Sequence, residues 1–465
     1  MTSFNRRSFI KKASLASAAL GTTSIFPEYV RGQSQRSQSS KYMGDFAAPK
    51  LEHVRAAFIG VGARGGYHLK FLAALPGTEV VGICDVYEDL VKEKEQWVRE
   101  VSDENRHQNI KLYYGDDEIW MTMLKEVQPD VVFIATNWAN HAPMAIESMK
   151  QGAHAMVEVP IAVTLQEMWD IVETSEAMQK HCMMLENVNY GRDELMFLNM
   201  CRQGVIGEVL HGEAAYIHEL RWQMEEQMRG TGSWRTYHYA KRNGNLYPTH
   251  GLGPVAQYMN LGRGEDTFGT IVSYSTPSAG RKAFAENNYP KDHKWNGLNF
   301  KGGDLNTSII KTQLGRTILV QWDETSPRPY SRLNLIQGTQ GTLAGFPTRV
   351  ALEGGVDGIT KDHHSWVQGD DLEKLYEKYD HPLYKRLNAS AKGSGHGGMD
   401  GIMVYRIVEC LQNGLPLDQN VYEGCFWSAV APLSERSVAS GGYPQPFPDF
   451  TRGNWMETNP LQIAT

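Results

Sequence analysis

The sequence predicts an α/β protein: an N-terminal doubly wound parallel sheet, then an α+β domain with a largely antiparallel sheet. Three observations carry that expectation. A glycine-spaced turn, Gly60-Val61-Gly62-Ala63-Arg64-Gly65, follows an apolar run and opens a segment with Leu69, Leu72 and Ala73 at helical spacing. Apolar runs then alternate with helix-length segments to about residue 190, the texture of parallel strands joined by crossovers. Beyond Gly204 the texture changes, and strand-like runs are separated by loops rich in Gly, Asn and Trp.

The chain begins with a segment that reads as an address rather than a domain. Asn5-Arg6-Arg7-Ser8-Phe9-Ile10-Lys11 resembles a twin-arginine export motif, and Ala13 to Phe26 forms a short, weakly apolar stretch behind it. That stretch is too short to span a bilayer. Gly32 to Ser40 reads as a Gln/Ser linker, so residues 1–40 are expected to be signal and linker, with an exported product. The first 41 residues carry seven basic side chains against Glu28, a net +6, which leaves −13 on the rest of the −7 chain. An acidic body argues against nucleic-acid binding. Five cysteines (84, 182, 201, 410 and 425) form no paired framework and read as buried free thiols.

The first domain is expected over residues 50–190. Gly60 permits a tight turn, Gly62 lets the backbone approach a pyrophosphate, and Gly65 lets the helix pack on the strand. Glu79 to Cys84 reads as the second strand, and Asp85 lies where a carboxylate accepts hydrogen bonds from ribose hydroxyls. That carboxylate would repel a 2′-phosphate, so the expected cofactor is NAD in a Rossmann domain. Val131 to Thr136 is a buried strand, and Trp138-Ala139-Asn140-His141 stands at its ligand-binding end. A helix is expected from about Pro143 to Gly152, then a strand from His154 to Glu158 that stops at Val159-Pro160. Thr164 and Glu167 form a capping box for another helix, and Cys182 to Glu186 is a strand ending at Asn187.

The second domain, 191–465, is expected to hold strands at 209–218, 267–275, 307–313 and 317–322. Gly341 to Gly395 reads as irregular, and helices are expected near 398–413 and 420–440. Its most unusual run is Asn243-Gly244-Asn245-Leu246-Tyr247-Pro248-Thr249-His250-Gly251-Leu252-Gly253-Pro254. Turn residues there fix a phenol and an imidazole three residues apart, and both groups can move protons. His250 is the stronger catalytic candidate, since imidazole titrates near neutrality and phenol at about 10. Tyr216, Arg235 and Tyr330, with Trp234 nearby, offer donors and flat faces suited to a sugar. The histidines and cysteines show no metal-ligand spacing.

These motifs resemble the Gfo/Idh/MocA oxidoreductase superfamily and, within it, glycoside hydrolase family 109, the NAD-dependent α-N-acetylgalactosaminidases. The similarity runs over nearly all of the chain after the leader. The superfamily usually carries Glu-Lys-Pro where this chain has Glu158-Val159-Pro160, and that lysine serves net dehydrogenases. It also usually places acids where this chain has Leu246 and Gly253. Tyr247-Pro248-Thr249-His250 is similar to the family 109 substrate motif, and His396-Gly397-Gly398-Met399-Asp400 also looks familial. By this resemblance Arg64, Gly65, Asp85, Trp138, Ala139, Asn140, His141, Glu158, Val159 and Asn187 hold NAD. Tyr216, Arg235, Tyr247, Pro248, Thr249, His250 and Tyr330 hold the sugar.

The resemblance implies cleavage by C3 oxidation, C1–C2 elimination, water addition and re-reduction, with NAD tightly bound and recycled each turnover. The implied partners are a glycan and the export machinery, with a homo-oligomer possible and no stable membrane span. The competing readings are an NAD-dependent sugar or inositol dehydrogenase and a non-catalytic sugar-binding protein that retains NAD.

Overall fold

The structure, a computed structural model, describes residues 36, 37, 39–102, 106–225, 233–362, 364–391, 396–461 and 463. The twin-arginine motif and most of the linker lie outside the described residues. Largely apolar runs become the strands of the first sheet: β1 (Val54–Ile59), β2 (Thr78–Cys84), β3 (Lys111–Tyr113), β4 (Val131–Ile134), β5 (His154–Val157) and β6 (Cys182–Met184). The six described strands run parallel in the order β3-β2-β1-β4-β5-β6. The order reverses between β1 and β4, so their carboxyl ends flank the crevice where such sheets bind ligands. Helices α1 (Ala63–Ala74), α2 (Glu88–Val101), α3 (Ile119–Val127), α4 (Trp138–Lys150) and α5 (Leu165–Met178) make the crossovers. Burial on both faces explains why β4 is apolar throughout, and Phe58 stacks on Phe133 across neighbouring strands at 5.0 Å.

Helix α4 starts at Trp138, not at Pro143. Pro143 lies inside the helix, where one missing N–H is tolerated. The shift matters, because Trp138 to His141 become the helix's first turn, at the strand's ligand end. The capping box at Thr164 is present: Glu167 N–H donates to Thr164 Oγ1 at 3.2 Å, and Thr164 N–H donates to the Glu167 carboxylate at 2.9 Å.

After α6 (Arg192–Arg202) the chain builds the second sheet. Its principal strands are β7 (Val209–Ile217), β8 (Phe268–Ser275), β9 (Leu305–Thr312) and β10 (Thr317–Asp323). Between β7 and β8 lie the short helix α7 (Arg235–Lys241) and α8 (Thr249–Tyr258), and α9 (Gly280–Asn288) follows β8. The described residues of 341–395 form more regular structure than their sequence indicates. After β11 (Leu335–Gly338) come β12 (Gly341–Ala344), β13 (Arg349–Leu352) and β14 (Val367–Gln368), then α10 (Leu372–Tyr379) and α11 (Pro382–Ala391). The strands are too short to show a period, but Leu372, Leu375 and Tyr379 of α10 are buried at helical spacing.

The described sheet runs β14-β13-β12-β11-β7-β10-β9-β8-β15, where β15 is Gln445–Pro446. Every pair is antiparallel except β7 with β10, which sets Tyr216 beside Trp322. Two late helices return to the first domain. α12 (Met399–Asn413) packs on α1, and α13 (Val421–Ala439) packs on both α5 and β8. α13 opens with a second capping box, Asn420 with Glu423. All five cysteines are free, and four are buried. Among the described residues no helix is long and apolar enough to cross a membrane.

Candidate functional site

The nucleotide end is built by glycine. Gly60 leaves β1 at φ +80°, and a Cβ there would lie 2.7 Å from the Ala135 carbonyl oxygen. A Cβ on Gly65 would lie 1.8 Å from the Gly60 carbonyl oxygen, so only glycine lets α1 sit on this turn. Gly62 caps α1 without a side chain, which leaves the first-turn N–H groups without a side-chain acceptor. Asp85 is fixed at the end of β2, where its carboxylate accepts from Val61 N–H at 2.9 Å and Tyr87 N–H at 3.2 Å. A glycine cradle beside a fixed, partly exposed carboxylate fits an NAD pyrophosphate and ribose.

Deeper in the crevice, Arg64 joins three elements. Its guanidinium donates to Glu158 at 3.1 Å, and through both terminal nitrogens to Asp400 at 3.0 and 3.1 Å. Asp400 also accepts from Asn187 Nδ2 at 2.7 Å, and His396 Nδ1 lies 2.8 Å away. Buried His68, one helical turn beyond Arg64, places Nε2 2.7 Å from Glu158. Burial opposes ionisation of Glu158, but Arg64 and His68 outweigh it and hold the carboxylate well below its usual range. Burial works against Asp400 too, and His396 and Arg64 again prevail. The bond from Val159 N–H to Glu158 at 3.2 Å completes this turn.

The first turn of α4 divides in use. Ala139 is exposed and Asn140 is half-buried. His141 is buried, with Nδ1 2.7 Å from the Pro160 carbonyl and Nε2 3.1 Å from that of Thr136. Burial lowers its pKa, and both nitrogens face backbone, so the ring ties two loops together. Trp138 is buried, its ring stacked on Tyr247 at 5.8 Å and edge-on to Trp234 at 5.1 Å. It joins the nucleotide side to an aromatic chamber.

That chamber contains the sugar candidates. Tyr216, at the end of β7, has Tyr247, His250 and Tyr330 around it with ring centroids at 4.9, 5.2 and 6.2 Å. Pro248 begins α8, and Thr249 and His250 form its first turn. His250 Nδ1 lies 2.6 Å from Oε1 of fully buried Glu186. His218 Nδ1 lies 3.0 Å from the Tyr216 hydroxyl. Burial raises the Tyr216 and Tyr247 phenols, with Arg235 opposing, so both stay protonated at neutral pH. Burial lowers the pKa of His218. Arg235 lies over Trp138, Trp234 and Tyr247 at 5.1–5.4 Å, and its buried Nε has no protein acceptor. Burial works against its charge, but Tyr247, Tyr239 and Glu324 more than offset that.

Gly60, Gly62, Gly65 and Asp85 form the nucleotide end; Arg64, Glu158, Val159 and Asn187 meet at the network; Trp138 leads to Tyr216, Arg235, Tyr247, His250 and Tyr330. Sequence reasoning assigned no role to Glu186, His68, His218 or Glu324, and left His396 and Asp400 as a motif without one. Position could have found three of them. His68 is four residues after Arg64 on one helix, His218 is two after Tyr216 along the strand direction, and Glu186 ends a parallel strand.

Family models divide the chain in the same way. One described as an oxidoreductase family with an NAD-binding Rossmann fold matches residues 54–186, and the glycosyl hydrolase 109 C-terminal domain matches 190–457. "Glycosyl hydrolase family 109 protein 1" of Akkermansia muciniphila is 60% identical over 431 residues, covering 92% of this chain and 88% of that protein. A second protein of that organism, "Glycosyl hydrolase family 109 protein 2", is 55% identical, covering 99% of each chain. The family 109 protein of Shewanella sp. (strain W3-18-1) is 51% identical over the whole of both. Among solved structures, levoglucosan dehydrogenase in complex with NADH and levoglucosan matches with a TM-score of 0.63 at 17% identity, covering 85% of this chain and all of that one. The chain therefore belongs to glycoside hydrolase family 109, an enzyme family built here on the NAD-binding Gfo/Idh/MocA oxidoreductase fold.

Proposed function

We propose that the protein cleaves glycosides, terminal α-N-acetylgalactosaminides first among them, by oxidation at C3, elimination across C1–C2, water addition and re-reduction. The observation that carries this reading is the Glu186–His250 pair, 2.6 Å apart, packed against the buried phenols Tyr216 and Tyr247. The site's other buried glutamates are engaged: Glu158 with Arg64 and His68, Glu324 with the Tyr239 hydroxyl. Neither stands as one of a free carboxylate pair, the usual glycosidase arrangement. The Gly60–Gly65 turn, Asp85 and the strand-end residues of β4 to β6 would hold NAD⁺, which would supply hydride acceptance and return.

The remaining work belongs to side chains. A C3 ketone acidifies the C2 proton, and His250 is placed to take it. With Nδ1–H donated to Glu186, the Nε2 lone pair is available as base. Tyr216 and Tyr247, kept neutral by burial, donate hydrogen bonds to the enolate oxygen. His218, bonded to the Tyr216 hydroxyl, receives or returns protons there as the C1 substituent departs and water enters. Arg235 donates to sugar oxygens while its aromatic neighbours exclude water.

Because the hydride returns to the sugar, net redox is zero, which suits an exported enzyme that keeps its nucleotide. The test is activity after the nucleotide is stripped and restored. The reading expects cleavage to vanish and return with NAD⁺ while no NADH accumulates. Full cleavage without nucleotide would defeat it, and steady NADH accumulation would identify a dehydrogenase.

A further inference from the structure

Glu186 presents one oxygen to the chemistry and hides the other. Oε1 accepts from Val188 N–H at 3.2 Å and lies against His250. Oε2 is buried and has no protein partner. Glu186 caps the 3₁₀ turn Asn187–Tyr190, which carries Asn189. Asn189 is 3% exposed, and neither its Oδ1 nor its Nδ2 has a protein partner. Gln419, 1% exposed, donates Nε2 to the Glu186 carbonyl at 3.0 Å, while its own Oε1 is buried and unpartnered.

Gly253 explains how these groups meet. A Cβ there would lie 3.0 Å from Asn189 Oδ1, 3.0 Å from Glu186 Cγ and 3.3 Å from the Trp427 ring. Two polar side chains, Asn189 and Glu186, thus meet at Gly253, whose missing Cβ permits the close approach. Buried polar atoms that lack protein partners are the usual hosts of internal water. Resting on the assignment of Glu186–His250 as the proton-handling pair, we infer that Asn189 is a positioning residue. It holds Glu186 Oε2 through a buried water between the two side chains. The water donates to Oε2 and accepts from Asn189 Nδ2, which holds Oε1 toward His250 and makes Nδ1–H the favoured tautomer.

The test uses the full chain with ¹⁵N-labelled histidine and three substitutions. Asn189→Leu removes the donor at similar size, Asn189→Ala leaves room for further water, and Gly253→Ala presses Asn189 and Glu186 apart. For N189L and G253A the expected result is a drop in kcat of about tenfold, with NAD content retained. Their His250 ring nitrogens should move toward the Nε2–H tautomer. N189A should keep most of wild-type kcat and ring shifts. Wild-type kcat and ring shifts in N189L would overturn the inference, as would equal damage in N189A and N189L. The ring shifts are read without turnover, so they test Asn189 even if H250A stays active and the proposed reaction falls.

Discussion

The two arginines of the crevice are held in opposite ways. Arg64 is bound by two carboxylates, Glu158 and Asp400, and Asn187 bonds to the second of them. Arg235 lies against three aromatic faces, with a buried Nε that meets no protein acceptor. The first arrangement fixes geometry with compensated charge and ties α1 to α12. The second keeps hydrogen-bond donors ready for a ligand. The contrast separates a nucleotide side organised by ion pairs from the proposed sugar side, organised by ring packing.

The largest expected effect lies on the sugar side. His250→Ala should lower kcat by ~10²–10⁴-fold, the usual contribution of a general base, while the nucleotide remains bound. Single-turnover kinetics and cofactor release on denaturation check both halves, and near-normal turnover would remove His250 from the mechanism. Arg235→Ala should raise KM by about 10–100-fold, the range for losing charge-assisted hydrogen bonds, with little change in unfolding free energy. A large loss of stability instead would mean that the Arg235 packing is structural.

Asp400→Asn should reverse that pattern. It breaks the bidentate pair with Arg64 and costs about 2–3 kcal/mol in denaturant unfolding, below the usual figure for a buried pair because Arg64 is partly exposed. Cofactor retention should fall with it, whereas KM for sugar should move little in variants that keep NAD.

Mild acid should have the smallest effect. Burial holds His154 down to about 3 and His238 and His381 to about 4. The unfolded chain therefore takes up protons first. Stability is full above the ordinary imidazole value near 6.5 and is lost as pH falls from there toward about 4. Glu158 and Asp400, whose folded values are also depressed, extend the loss below the ordinary carboxylate range near 4. Denaturation melts from pH 7 to pH 4 should show a continuous decline, and a flat profile would contradict the burial of these histidines.

Much of the fold was legible because burial writes itself locally. Strands β1, β2 and β4 to β6 are largely apolar runs, and Thr164 with Glu167 announced a helix start that the backbone repeats. The short strands of 341–368 were not legible, since β12 and β13 have four residues each and β14 has two. A period needs more turns of pattern than that. In the site, Tyr247-Pro248-Thr249-His250 stood out through its own composition, whereas Asp400 is 336 residues from its Arg64 partner. Glu186 is 64 residues from His250. Such pairings exist only after the chain folds, so local spacing carries no trace of them.

The central claim is that cleavage passes through a C2 carbanion in the chamber around His250. Its most direct test is turnover of 4-nitrophenyl α-N-acetylgalactosaminide in deuterated water, with NMR of the released sugar. The account expects deuterium at C2 of the product. Complete turnover with only hydrogen at C2 would point to direct displacement and contradict it.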